Sequence, residues 1–179
     1  DGTRYRLLET IRQYAAEKLI ESGAAQRIRE RHCAFFVAWA EEAQTQIDGP
    51  DQVGWLRRYE AEHDNLRSAL EWSRADPGRA AAALRLAAAC AQFWELHAYG
   101  SEGAAHLIQA LADAGQDAPP TVRGWALSRL ASLLFMRSEF PAMRGYAEEA
   151  LSIWRALGAD GRAGLAFTLF RLGDLALEE

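Results

Sequence analysis

The sequence predicts an all-α protein: antiparallel helical hairpins stacked into a short right-handed solenoid. Three observations lead there. Apolar residues recur at spacings of three and four along most of the chain, and almost no stretch alternates as a half-buried strand does. The breaks carry helix punctuation, with Pro50, Pro77, Pro119, Pro120 and Pro141 all at helix starts or loops. Small residues, Ala91, Ala131 and Gly173, recur in corresponding places of the later stretches.

In the first helix Leu8, Ile11, Ala15 and Leu19 form one apolar face, and Gly23 is the stop. The second runs from about Ala25 to Gln46, with Ile28, His32, Phe35, Phe36, Trp39 and Ala43 on one side. After the turn Asp48-Gly49-Pro50, a third helix carries Leu56, Tyr59, His63, Leu66 and Leu70, until Asp76-Pro77-Gly78 breaks it. The fourth, about Arg79 to His97, is nearly saturated with Ala and Leu, which places it between neighbours. Gly100-Ser101 starts the fifth, which ends near Gly115, and Pro119-Pro120-Thr121 starts the sixth, which ends near Arg137. The seventh covers about Glu139 to Leu157, a loop follows at Gly158-Ala159-Asp160-Gly161, and the eighth runs on to the last residues. Short connections make neighbours antiparallel.

The later helices superimpose as repeats. Leu127, Leu130, Ala131 and Leu134 fill one helix of a pair, and Phe140, Met143, Ala147 and Ala150 fill the other. Small side chains let two backbones cross closely, which is the tetratricopeptide pattern, although Met143 stands where that pattern has alanine. An upstream copy uses Ala91 and Trp94, then Gly103, Leu107 and Ala110; a downstream half uses Leu169, Leu172, Gly173 and Ala176. From Ala91 to Ala131 is 40 residues and from Ala131 to Gly173 is 42, longer than the roughly 34 of the standard unit. The alternative is a non-repeating helical bundle with chance Ala spacing.

Three segments carry a resemblance. Arg4-Tyr5-Arg6-Leu7-Leu8-Glu9-Thr10-Ile11-Arg12-Gln13-Tyr14-Ala15 resembles the close of the winged-helix part in large bacterial signalling ATPases of the STAND type. Ala61-Glu62-His63-Asp64-Asn65-Leu66-Arg67-Ser68-Ala69-Leu70-Glu71-Trp72 resembles the helix before their repeats, and Phe93-Trp94 followed by Ser101-Glu102-Gly103 resembles their first repeat. The resemblance implies three parts: residues 1–24 as the end of the winged-helix part, 25–77 as a hairpin preceding the repeats, and 78–179 as tetratricopeptide-like repeats. It also implies a sensor or scaffold role beside an upstream ATPase domain, in signal transduction and transcriptional control. Asp1-Gly2 and Glu178-Glu179 both read as cuts within a longer chain.

Twenty Lys and Arg against 25 Asp and Glu leave a net charge of −5, which argues against nucleic acid as the main partner. The N-terminal third is locally basic, with Arg4, Arg6, Arg12, Lys18, Arg27, Arg29 and Arg31 against Glu9, Glu17, Glu21 and Glu30; a solvated helix face explains that equally well. Cys33 and Cys90 lie in apolar helical stretches and read as free buried thiols of a reducing cytoplasm. No apolar run approaches the roughly 20 residues of a membrane span.

Few residues suggest chemistry. His32, His63, His97 and His106 lack zinc-ligand spacing, and His63, on an apolar stripe, reads as a hydrogen-bonded core or interface residue. Gly158, Gly161 and Gly164 recur at threes without a following Lys or preceding strand, so they read as an inter-repeat turn rather than a phosphate loop. The carboxylate pairs at Glu60 and Glu62, Glu148-Glu149 and Glu178-Glu179 read as solvated faces. No catalytic residue, metal or cofactor is expected.

The remaining candidate is the concave face. On the repeat register it comprises Arg85, Gln92, Glu95, Trp125, Ser128, Arg129, Ser132, Phe135, Phe170, Arg171 and Asp174, a mix of aromatic area and polar groups suited to recognition. Phe135 and Phe170 fit equally well as packing against neighbouring helices. The leading expectation is a non-catalytic module that binds a protein or a small-molecule inducer in this groove, with self-association through the C-terminal helix. A DNA-binding regulatory segment and an α-helical enzyme domain are the alternatives.

Overall fold

The computed structural model describes residues 8–115 and 117–178, so Arg4 to Leu7 of the first motif and Glu179 lie outside the described residues. Eight α-helices are described: α1 (Glu9–Glu21), α2 (Ala25–Gln46), α3 (Gln52–Arg74), α4 (Ala80–Leu96), α5 (Gly100–Ala114), α6 (Pro120–Met136), α7 (Phe140–Ala156) and α8 (Arg162–Glu178). Short 3-10 turns, Pro77–Arg79 and Gly158–Gly161, lead into α4 and α8. There is no strand among the described residues.

Local chemistry sets the boundaries. Asp76 accepts the Gly78 backbone N–H at 2.9 Å and pairs with Arg79 at 2.9 Å, closing the turn between α3 and α4. Gly23 and Gly115 end α1 and α5 with φ of +69° and +56°, a region that L side chains enter only at a cost. Pro120 occupies the first turn of α6, where its missing N–H forfeits no helical bond.

Successive helices run antiparallel and form two layers. α2, α4, α6 and α8 lie side by side in one layer, while α3, α5 and α7 cover the seams between them. α4 touches α2, α3, α5 and α6. That accounts for its Ala and Leu content: small and aliphatic side chains let four neighbours approach, with the large rings of Phe93 and Trp94 confined to its last turn, and twelve of its seventeen residues are buried.

The small residues that the repeat register places at crossings are buried in α4, α6 and α7 but not in α8, where Gly173 is exposed and faces open space. Ala91, Ala131, Ala147 and Ala150 are buried. Met143 is fully buried too, so the crossing of α6 and α7 admits the longer side chain. Tryptophans lock the layers together. Trp94 of α4 lies against Gly103 of α5, where an added Cβ would come within 2.7 Å of its ring. Trp154 of α7 fills a slot between Gly124 of α6 and Gly164 of α8, and an added Cβ at Gly124 would again lie 2.7 Å from its ring. Tyr59 of α3 stacks on Phe93 of α4 at 4.9 Å, and its hydroxyl lies 3.1 Å from the carbonyls of both Ala40 and Ala89.

Three sequence expectations shift. In α2 the buried stripe is Cys33, Phe36, Val37, Ala40 and Ala43, because α3 and α4 pack there; Ile28 and Phe35 are exposed. In α8 the buried residues are Gly164, Thr168 and Leu175, so the expected stripe is rotated by about one position, leaving Leu169 and Ala176 exposed. α1 lies outside the main packing: Leu8, Ile11, Tyr14 and Ile20 are all exposed, and only Leu19 of its apolar face is half-buried. Cys33 and Cys90 are free and buried. No helix among the described residues is long and apolar enough to cross a membrane.

Candidate functional site

The layer of α2, α4, α6 and α8 brings most of the residues expected on a concave face together, because α4, α6 and α8 lie side by side. At one end, Arg85 of α4 holds Glu41 of α2 in a two-pronged pair, Nε to Oε1 at 2.7 Å and Nη2 to Oε2 at 2.6 Å. Next along α4, the amide of Gln92 donates to Asp48 Oδ1 at 2.6 Å and accepts from Arg129 Nη2 of α6 at 3.1 Å.

Glu95 sits one turn further along α4. It accepts from Arg171 Nη2 of α8 at 2.6 Å and lies 3.8 Å from Arg129 Nη1. Arg171 also donates to Ser132 Oγ at 2.8 Å and to Asp174 Oδ2 at 3.4 Å. Gln92, Glu95, Arg129, Ser132, Arg171 and Asp174 are thus one network across three helices. Charge-assisted bonds of this kind fix side chains whose flexibility would otherwise blur a recognition surface.

Aromatic rings support the arginines. Arg129 lies over Phe167 at 4.7 Å and Trp125 at 5.9 Å, and Arg171 lies 5.6 Å from Phe167 and 5.8 Å from Phe170. Trp125 meets Trp154 and Phe167 edge-on, at 5.3 and 5.7 Å. Burial pushes the Arg129 pKa down, while Glu95 and then Asp48 oppose that shift.

The expected face is not uniform. Ser128 and Ser132 are buried rather than surface groups. Ser128 Oγ lies 2.7 Å from Thr168 Oγ1 and accepts from Trp154 Nε1 at 3.0 Å, so it holds α6, α7 and α8 together. Phe135 is half-buried against Phe140 at 5.9 Å, the packing alternative, whereas Phe170 is 64% exposed. Sequence reasoning missed Trp154, whose signal was Gly124 and Gly164 at matching places in α6 and α8. It also missed Glu41, Asp48 and Phe167, because partners so distant in sequence leave no local pattern.

Between α2, α4 and α6 this layer opens into a cleft of about 410 Å³, lined by Glu41, Gln44, Thr45, Asp48, Arg85, Ala88, Ala89, Gln92, Thr121, Val122, Trp125 and Arg129. A second cleft, about 530 Å³, lies between α2 and α3 and is lined by Ile28, Arg29, His32, Ser68, Glu71, Trp72 and Ala75.

Two of the four histidines, His63 and His106, flank Glu102 of α5. His63 is buried between Phe93 and Tyr99, with Nε2 3.3 Å from Glu102 Oε1 but forming no hydrogen bond. His106 stacks on Trp94 at 5.6 Å and lies 3.8 Å from the same oxygen. Arg67 grips Glu102 with two bonds, at 2.6 and 2.5 Å. Among the described residues no group of three His, Cys, Asp or Glu side chains is placed to hold a metal ion. Gly161 and Gly164 both sit against Trp154, so packing accounts for their places in the spaced glycines.

Three proteins, one from Mycobacterium bovis and two from Mycobacterium tuberculosis strains, share similarity with this chain, and each is described as a "Putative HTH-type transcriptional regulator". Each is 44% identical to it over 101 residues, which is 56% of this chain and 11% of the relative. The chain therefore matches only about a tenth of the length of these curated relatives. No family model matches the chain. No solved structure matches it.

Proposed function

We propose that this chain is a non-catalytic helical-repeat module of a bacterial regulatory ATPase, with an inner face that recognises a protein or a small-molecule inducer in the control of transcription. The observation that carries the reading is the braced row of side chains on α4, α6 and α8 beside an open cleft. Rigid polar and aromatic groups on a preformed surface suit recognition, since little ordering entropy remains to be lost on binding. The layering of α2 to α8 and the small residues at the crossings support a tetratricopeptide-type solenoid. The similarity to large proteins described as transcriptional regulators supports a place in such a protein.

On this reading the module works in the cytoplasm and passes its state to an upstream ATPase domain. The exposed apolar side of α1 is suited to that contact.

The reading is tested by fractionating host-cell metabolites and proteins and measuring how each fraction changes the melting temperature of the 179-residue protein. A fraction should raise it for the wild type but not for an inner-face variant, Arg85→Ala with Trp125→Ala. Fractions that stabilise both proteins equally, or no stabilising fraction at all, would refute the reading.

A further inference from the structure

We propose that the cleft between α2, α4 and α6 binds a small neutral molecule carrying an amide. The amide N–H goes to Asp48, its carbonyl oxygen to Arg129, and the apolar part of the ligand lies on Trp125. The proposal rests on the reading of this face as a recognition surface and assigns the ligand its charge and its polar group.

The charges of the lining are already matched. Glu41 and Asp48 stand against Arg85 and Arg129. Arg85 holds Glu41 through two bonds, and Arg129 lies within electrostatic reach of Asp48. Glu95, the other carboxylate near Arg129, is taken by Arg171. A cation or an anion entering the cleft would give up hydration without meeting an unmatched charge of opposite sign. A neutral polar group avoids that cost.

Gln92 shows which polar group fits between Asp48 and Arg129. Its side-chain amide donates from Nε2 to Asp48 Oδ1 at 2.6 Å and accepts at Oε1 from Arg129 Nη2 at 3.1 Å. One amide thus spans the carboxylate and the guanidinium. Each of those groups keeps a further site. Asp48 has its second oxygen, Oδ2, and Arg129 has Nε, which is buried and has no hydrogen-bond partner among the described residues. An unpaired donor on a buried charged group is costly, so a carbonyl oxygen at Nε is favoured. Nε is shielded from water in the free protein, and a side-chain rotamer change of the kind common on binding uncovers it. A ligand amide beside that of Gln92 supplies both complements, an N–H for Asp48 and a C=O for Arg129.

The other walls suit an apolar body. Trp125 is held edge-on by Trp154 and Phe167, which leaves an indole wall along the cleft for a ring to pack on. Val122, Ala88 and Ala89 add apolar surface, and the volume of about 410 Å³ suits a small molecule.

The test is calorimetric titration with phenylacetamide, benzamide and nicotinamide, alongside phenylacetate and phenethylammonium as an anionic and a cationic match. At least one amide should bind saturably, about tenfold or more tightly than either ion. Losing a hydrogen bond to a charged group should weaken binding about tenfold or more, so Asp48→Ala should show that loss, and Trp125→Leu should weaken binding too. Melting curves establish that each variant is folded, and Trp125→Phe replaces a Trp125→Leu protein that is not. NMR of arginine side chains in the wild type gives a readout free of substitution: the Arg129 Nε–H resonance should move as the amide saturates.

Failure of every amide, unchanged binding to Asp48→Ala, or an unmoved Arg129 resonance overturns the proposal. If phenylacetate or phenethylammonium binds more tightly in a Trp125-dependent way, or if a cell fraction stabilises the wild type and not the Arg85→Ala, Trp125→Ala variant, recognition stands and the amide assignment alone falls.

Discussion

Arg171 on α8 donates from Nη2 to Glu95 Oε1 on α4 at 2.6 Å, joining residues 76 apart across the intervening α6. Glu95 also faces Arg129, so one carboxylate braces three helices of the inner layer. Glu95→Gln removes the carboxylate that the two guanidiniums share. Breaking a fully buried pair costs about 3–5 kcal/mol. Arg171 is 22% exposed and partly screened by solvent, so a loss of about 2–3 kcal/mol is expected. Urea unfolding measures it, and a loss below about 0.5 kcal/mol would show that the brace contributes little.

Glycine substitutions separate packing from propensity. Gly124→Ala forces a Cβ against the Trp154 ring and should cost about 1–3 kcal/mol. Gly164→Ala meets the same ring and should behave alike. Gly145→Ala on α7 meets open space and should stabilise the helix by about 0.5–1 kcal/mol. Equal unfolding midpoints for the three variants would remove Trp154 from its role as a clamp.

The all-α class and the helix order were legible where local chemistry marks the breaks. Asp76-Pro77-Gly78 stops α3, Pro120 starts α6, and the Leu66–Leu70 stripe of α3 is buried as its spacing implies. What a face packs against is not local, and there the sequence was less informative. Ile28 and Phe35 continue an apolar stripe in α2, but α3 and α4 settle on the side of Cys33 and Val37. The candidate surface was legible as a set of positions along α4, α6 and α8, but its pairings were not. Gln92 with Arg129, or Arg171 with Glu95, depends on the lateral register of helices that no short-range pattern encodes.

Acid should weaken the contact of α3 with α5. Hydrogen bonding from Arg67 holds the Glu102 carboxyl below its ordinary 4.5, and burial holds His106 below its ordinary 6.5. Both folded-state values are depressed, so each group contributes stability that is complete above its ordinary value and is lost as pH falls through the depressed one. The melting temperature should therefore decline below about pH 6.5 and again below about 4.5. His106→Gln should remove the first decline and keep the second. A wild-type melting temperature constant from pH 7 to pH 4 would refute these assignments.

α8 should mediate self-association. Leu169, Phe170 and Leu177 are exposed on it, and burying each such side chain is worth about 1.5–3 kcal/mol. Leu165 and Leu172 are half-buried against the core, so they are poor choices for a disruptive substitution. Light scattering should show the wild type associating at high concentration and Leu169→Glu with Leu177→Glu remaining monomeric. A wild-type monomer throughout would show that this strip does not drive association.

The most direct test of inner-face recognition is a map of where a ligand touches. The isotopically labelled protein is titrated with the compound or purified fraction that stabilises it most, and backbone amide shifts are followed by NMR. The account predicts saturable shifts clustered at Arg85, Gln92, Trp125, Arg129 and Arg171, on three helices far apart in sequence. Shifts confined to α3, α5 and α7, or spread evenly over the surface, would contradict it.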